Sequence, residues 1–521
     1  MRRLRIGVID LVTKTPTKSA WARIMFPNFA SIMPQALATW CEQEGHDVKL
    51  ICYTGFENLE EALPADVDLV FIGAFSHAAQ LAYALSALFR SRGAVTALGG
   101  PHARSYPQDA CRYFDYVLGL TSREIVRDLL QGCERQPGIG VHLTADHQPE
   151  DLPGVRERWK FIEPTLAKAP LIKIVPMIGS LGCPYTCSFC VDSVIPYQPL
   201  NFELIKEDLR FLLTKFKRPK VGWHDPNFGV RFDETLSAIE EAVPPGRVSF
   251  FAESSLSLLS AKRLERLRRN GFKAILPGIE GWFDLGNKAK TRNTHGLEKV
   301  RLVADQVNQV LAYVPYVQTN FVFGTDADEG PEPFECTKRF VDLAPGAYPA
   351  YCQLSAFGCS APLNLEYQKE DRVLPFPFHF LNTQRAMNVR PKNYGWDDFY
   401  QSLADLTAYT FSSRAIRRRY RANDAAGGAL LNVLRGVTSQ GRGRVRMYRQ
   451  ILERLHTDPA VRDFFEQETT EIPEAYARMV REELGPMWEW VPEGALVHDH
   501  KAYLNGNGAV QLTQLAVASR A

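Results

Sequence analysis

Long apolar runs are missing from this chain. The stretch that most imitates a leader, MRRLRIGVIDLV, has only about six apolar positions before TKTPTKS, whereas a secretory h-region needs roughly 7–15 and a spanning helix about 20. It reads instead as the first β-strand of a cytoplasmic protein without a transmembrane segment. An excess of either charge is also missing: 61 Lys and Arg face 59 Asp and Glu, a net charge of +2, so no overall field points to nucleic acid. Cysteine is sparse, ten in 521 residues without regular spacing, which excludes a secreted disulfide framework and favours thiols kept reduced for metal or redox chemistry. Repeats and low-complexity tracts are absent as well. A composition of 45% hydrophobic and 23% charged residues excludes collagen and extended disorder.

A chain of this length is too long for one core. Over residues 1–132, short apolar segments (RIGVIDLV, HDVKLICYT, VDLVFIGAF, AVTALGG, FDYVLGL) alternate with amphipathic ones such as AAQLAYALSALFRSRG. That alternation predicts a parallel sheet covered on both faces, a doubly wound, Rossmann-like domain whose ligands lie beyond the carboxyl ends of the strands. Residues 133–170 are dense in Pro, Gly and Asp and read as a linker. From 171 to 373 the alternation resumes in six βα-type units, enough for a partial or closed (βα)-barrel with its functional groups at the strand ends. Residues 374–521 begin Pro- and aromatic-rich (LPFPFHFLN) and continue as a mostly helical region. The fold class is α/β throughout the first two parts.

Three of the ten cysteines fall within eight positions, in LGCPYTCSFC. Cys183, Cys187 and Cys190 have the spacing C-x3-C-x2-C, and Gly182 and Pro184 suit a loop that curls around a centre. A closed zinc site needs a fourth ligand, and none stands at finger-like spacing. A redox C-x-x-C at Cys187 and Cys190 leaves Cys183 without a role. Three thiolates on a cubane cluster leave one iron open to a substrate or cofactor. The spacing, with an aromatic residue (Phe189) before the last cysteine at the end of a first barrel strand, resembles the signature of radical S-adenosylmethionine (SAM) enzymes. That resemblance implies a [4Fe-4S] cluster on the three cysteines and SAM on its open iron, cleaved to a 5'-deoxyadenosyl radical. It also implies SAM contacts at later strand ends: Asp225 and Asn227 in HDPNFG, Glu253, Ser254 and Ser255 in AESS, Gly278 and Glu280 in PGIEG, and Asn320 in QTNFVFG.

The preceding doubly wound domain, with LGGPHA at 98–103, resembles the cobalamin-binding domain of one radical SAM subgroup. Gly99 and Gly100 would let the backbone approach a bulky ligand, with His102 and His77 as further contacts. Two features depart from the pattern. The D-x-H-x-x-G motif of better-known cobalamin enzymes is absent after the first strand, where the chain reads DLVTKTPTKSAW, and GLTSRE replaces the usual G-E pair. Trp21 reads as a core or surface aromatic before a corrin contact. Cys41 and Cys52 read as small core residues, and Cys359, after the last barrel strand, is a weaker candidate for touching substrate.

The resemblance implies a cobalamin-dependent methyltransferase acting on an unactivated carbon. LPFPFHFLN suggests a hydrophobic small molecule such as a lipid, terpenoid or tetrapyrrole, unless it is packing. An acidic electron donor such as flavodoxin or ferredoxin would complete the system, without nucleic acid. Two rivals stand beside this reading: a cobalamin-independent radical SAM enzyme for cyclisation, carbon–carbon coupling or oxidation, and a non-catalytic iron-sulfur or zinc protein. The basic runs RAIRRRYR and GRGRVRMYR read first as solvated helix faces.

Overall fold

The computed structural model describes residues 2–17, 19–283 and 294–502. They form two compact units, one from the described residues of 1–211, 356–382 and 472–502, the other from those of 212–355 and 383–471. The end of the C-terminal helical region, from 503, lies outside the described residues.

In the first unit, apolar runs become a parallel sheet of β1 (Arg5–Leu11), β2 (Asp47–Tyr53), β3 (Leu69–Gly73), β4 (Val95–Gly99), β5 (Tyr116–Leu118) and β6 (Val141–Leu143), in the order β2-β1-β3-β4-β5-β6. Side chains alternate across it. Ile6, Val8, Leu69, Phe71, Val95 and Ala97 share a core with Ala36, Leu37, Trp40 and Cys41 of the helix Ile32–Gln43 and with Val126, Leu129 and Leu130 of the helix Arg123–Gln131. The intervening residue Thr96 bonds to Ser86 of the helix Ala79–Ser91 at 2.8 Å. Helices therefore meet intercalated rows, as buried parallel strands require. Cys41 and Cys52, at 0% and 1% exposure, are core residues as read from sequence.

The strand order reverses between β1 and β3, which is where such sheets open a crevice at their carboxyl ends. Residues 133–170, read as a linker, contain β6 and the helix Val155–Ala167. This helix starts on half of a capping box, the Glu157 carboxylate accepting from Gly154 N at 2.9 Å, and places Phe161 in the sheet's core.

The same unit holds three short strands around the cysteine motif: β7 (Val175–Met177), then β8 (Ser180–Leu181) paired antiparallel with β9 (Gln198–Pro199). It also gathers two segments from far along the chain. In 356–382, Ser360 Oγ lies 2.7 Å from Ser105 Oγ and Cys359 N donates to Ser105 O. From 472 onward, the helix Glu474–Leu484 leads to Trp490, whose Nε1 donates to Glu60, and Gln80 Nε2 donates to Ala495 O at 3.1 Å.

The second unit carries five parallel strands in sequence order: β10 (Lys220–Trp223), β11 (Ser249–Ser254), β12 (Phe272–Glu280), β13 (Tyr316–Phe323) and β14 (Tyr348–Gln353). Four helices, Phe232–Ala242, Ala261–Arg269, Gly296–Leu311 and Glu332–Leu343, connect them as predicted. Phe321 packs on Trp282 and Phe340, and Phe323 stacks on Phe334, which fixes the helix-covered face of β13. The alternate residues Gln318, Asn320 and Val322 therefore occupy its other, half-buried face. Five helices between Trp396 and Phe465 complete this unit.

Candidate functional site

The three cysteines sit on the loop between β8 and β9, all outside disulfides and all half-buried. Gly182 opens this loop at φ 65°, and a Cβ there would lie 2.4 Å from Pro196 O and 2.6 Å from Ile195 O. Glycine is thus required where the two ends of the loop meet. Inside it, Cys190 N donates to Cys187 O at 3.0 Å, and Leu363 N donates to Ser188 O. The donor chemistry fits an iron-sulfur cluster, three thiols close in sequence on one clamped loop. Among the described residues no three Cys, His, Asp or Glu side chains are drawn to metal-holding distance, so the loop is a set of ligands rather than a closed cage.

The clamp makes a prediction. Gly182→Ala should lower stability by about 1–3 kcal/mol, from a left-handed β-carbon and the carbonyl clash, and should reduce iron retained after reconstitution. Thermal unfolding and iron assay on the same preparation check it; an unchanged melting point with full iron would show that the loop tolerates the side chain.

In the second unit the residues singled out from sequence lie at or just beyond the ends of β10, β11 and β12, with Asn320 inside β13. After β10, Phe228 N donates to Glu253 O at 2.9 Å, pinning HDPNFG to β11, and Asn227 Nδ2 donates to Ser255 Oγ at 2.9 Å. That donation leaves Asn227 Oδ1 as an acceptor, and both it and Ser254 Oγ are buried without a partner among the described residues. Buried polar atoms are rarely left so. An acceptor and a hydroxyl side by side suit the ammonium and hydroxyl groups of a small polar ligand. Asp225 is buried beside them, while the side chain of Glu253 is exposed.

At the end of β12, Glu280 has φ 67° and is buried. Its Oε1 would lie 2.3 Å from a Cβ on Gly278, so the carboxylate folds back over the bare glycine backbone. Gly278 is the register partner of Asn320 on β13. A non-glycine residue held in this region stores backbone strain, a feature concentrated at ligand sites.

At the β4 end of the first unit, a Cβ on Gly99 would meet nothing within 4 Å, while Gly100 has φ 92° and a Cβ there would be 2.9 Å from Ala74 O. Gly100 makes the turn; Gly99 leaves open room above its backbone. His77 stacks on Phe75 at 5.9 Å between ring centres, and Phe75 is 48% exposed at the end of β3. These residues fit a broad, flat ligand approaching the sheet end. His102 does not stand there: it is fully buried, its Nε2 2.7 Å from the Tyr83 hydroxyl, packed against Tyr106 and Phe378.

LPFPFHFLN is packing. Phe376, Phe378 and Phe380 are each at most 3% exposed and face Tyr476, Tyr106 and His498, so they form no open wall for a substrate. The Cys359 thiol lies 3.1 Å from Arg104 O and 3.5 Å from Ser105 O, and burial pushes its pKa up; it ties backbone together. Trp21 is half-buried, its Nε1 enclosed. Sequence reasoning missed Arg435, which bonds to Gln318 on β13, because the two are 117 positions apart.

No protein-family model matches the chain. Two curated relatives come from Chlorobaculum tepidum. Bacteriochlorophyllide d C-12(1)-methyltransferase is 20% identical over 70% of this chain and 79% of its own length. Bacteriochlorophyllide d C-8(2)-methyltransferase is 28% identical over 41% of this chain, which spans half of that relative. Among solved structures, the radical SAM methyltransferase TsrM from Kitasatospora setae, with tryptophan and a SAM analogue bound, superposes with TM-score 0.55 at 13% identity, over 86% of this chain and 99% of that one. The cobalamin-dependent SAM radical enzyme OxsB with aqua-cobalamin gives 0.55 at 12% identity, over 94% and 84%. The chain thus has the fold of cobalamin-dependent radical SAM enzymes. Among the described residues no helix is long and apolar enough to cross a membrane.

Proposed function

We propose that this chain is a cobalamin-dependent radical SAM methyltransferase that methylates an unactivated carbon of a small hydrophobic molecule, with a tetrapyrrole as the favoured substrate class. The observation that carries the reading is the three-thiol loop in a chain with Asn227 in the loop after β10, Ser254 at the end of β11 and Glu280 at the end of β12, the first two with buried oxygens that lack a partner among the described residues. The relatives' named substrates support the tetrapyrrole, now that the aromatic stretch is accounted for as core.

When bound, the cluster and SAM supply a 5'-deoxyadenosyl radical and cobalamin supplies the methyl group, so the protein's work is binding, orientation and exclusion of water. Cys183, Cys187 and Cys190 would hold the cluster. Asn227 Oδ1 and the Ser254 hydroxyl would accept from the amino end of SAM. Glu280, held over Gly278, would accept from ribose hydroxyls, and Asn320 would lie against the adenosyl group. Gly99 would let a corrin approach the backbone, flanked by Phe75 and His77. Because a carbon radical reacts with its nearest neighbour, placing the substrate carbon in contact is the main source of selectivity.

Anaerobic purification, reconstitution with iron, sulfide and hydroxocobalamin, desalting, and counts of iron and cobalt test the reading. About four irons and one cobalt per chain, with 5'-deoxyadenosine and label from methyl-labelled SAM in product, are expected. Four irons without retained cobalt would replace it with the cobalamin-independent reading, which the missing histidine after β1 already favours.

A further inference from the structure

Arg435 lies on the helix Ala426–Val437, whose neighbouring residues meet the start of β13: Asn423 Nδ2 donates to Pro315 O at 3.1 Å. The guanidinium is held on four sides. Nη1 donates to the Tyr316 hydroxyl at 2.6 Å and to Gln318 Oε1 at 2.5 Å, Nε donates to Gln440 Oε1 at 2.6 Å, and the Tyr348 ring centre lies 3.9 Å away. Gln318 Nε2 in turn donates to Asn320 Oδ1 at 2.7 Å.

The direction of this relay follows from its first member. Arginine can only donate, so the Gln318 atom facing it must be the oxygen, and the Gln318 nitrogen must point along β13. Asn320 then presents its oxygen to Gln318 and is left with Nδ2, a pure donor, which bonds to no described residue. Beside it, across the β12–β13 register, lies the Glu280 carboxylate, a pure acceptor when ionised.

We propose that Arg435 is a positioning residue that fixes the Asn320 carboxamide with its donor toward the ligand, so that β12 and β13 together offer an acceptor next to a donor. The group seated against Asn320 must present a hydrogen-bond acceptor. This rests on the SAM reading above, in which that group is part of the adenosyl moiety.

Gln318→Glu separates polarity from structure. The introduced carboxylate keeps its partner Arg435 but cannot donate, so Asn320 turns its nitrogen to that carboxylate and offers oxygen to the ligand. Equilibrium dialysis of labelled SAM against cluster-reconstituted, unreduced protein should show affinity falling by about ten- to a hundredfold, the usual cost of facing a ligand acceptor with an acceptor in place of a donor, with the unfolding midpoint unchanged. Arg435→Met should cost only about twofold, because the amides become free to take either of their two orientations, and Arg435→Lys, still a donor, should bind like the parent. Asn320→Asp should lose as much as Gln318→Glu, and the double variant no more than Asn320→Asp alone. Equal affinity of parent and Gln318→Glu overturns this inference alone. A parent that binds no SAM overturns the cofactor reading and this inference with it.

Discussion

Replacing any one of Cys183, Cys187 or Cys190 by alanine should reduce iron and sulfide retained after anaerobic reconstitution to background and abolish release of 5'-deoxyadenosine from SAM. Two thiolates cannot hold a cubane against desalting, and among the described residues no other three potential ligands are grouped to substitute for them. Cys133→Ser is the internal control. Cys133 is half-buried and 50 positions before the motif, its thiol pushed up to about 11 by burial, so it is a poor metal ligand and its loss should leave both assays unchanged. A motif variant that kept four irons and cleaved SAM would remove the basis for assigning radical chemistry to this chain.

The second large effect concerns His102. Its environment assigns its tautomer: the Tyr83 hydroxyl donates its one proton to Asp109 Oδ2 at 2.6 Å, so His102 Nε2 must donate to Tyr83, leaving Nδ1 bare and buried without a partner among the described residues. Burial pulls the imidazole down to about 3, with a smaller contribution from His498. A histidine depressed in the fold and near 6.5 when unfolded stabilises fully above pH 6.5 and loses that contribution as pH falls below 6.5 toward 3. At pH 5 the loss is about 2 kcal/mol. Asp10 and Asp208, both raised to about 6 by burial, work in the opposite direction over the same interval, so the parent's own pH curve is partly flattened. The effect is isolated as a difference. Urea unfolding at pH 8 and pH 5 should show His102→Gln, which can still donate to Tyr83, losing about 2 kcal/mol less than the parent. Identical pH dependence in the two would mean that the imidazole is not held neutral.

The strands were readable because each apolar run was bounded by turn residues, and the cysteine loop because its spacing is local. Gly182 and Gly100 take the positive φ that glycine allows. What stayed hidden has physical reasons. β6 is three residues long and its Val-His-Leu carries no period, while Pro164 interrupts the helix Val155–Ala167 and makes it resemble a linker. The aromatic run at 374–382 is equally apolar whether it lines a cavity or fills a core, and only its contacts with Tyr476 and His498 decide. His102 follows a Gly-Gly-Pro turn that invites a ligand, yet its ring is claimed by Tyr83, a partner 19 positions earlier. The amide relay from Arg435 depends on a contact that no window of sequence contains.

The gathering of 472–502 onto the first unit sets an order for its completion. The doubly wound sheet is finished by residue 143, but Gln80, Glu60 and Arg112 do not meet Ala495, Trp490 and Val497 until about 350 further residues have been made. At ribosomal rates of roughly 5–20 residues per second, that interval lasts between about 20 and 70 seconds. Throughout it the nascent sheet domain stands without its final cover, including the partner that stacks on Phe378. A chaperone that shields apolar surface on a growing chain has a definite window in which to act here, and it closes once residues 490–497 have been made.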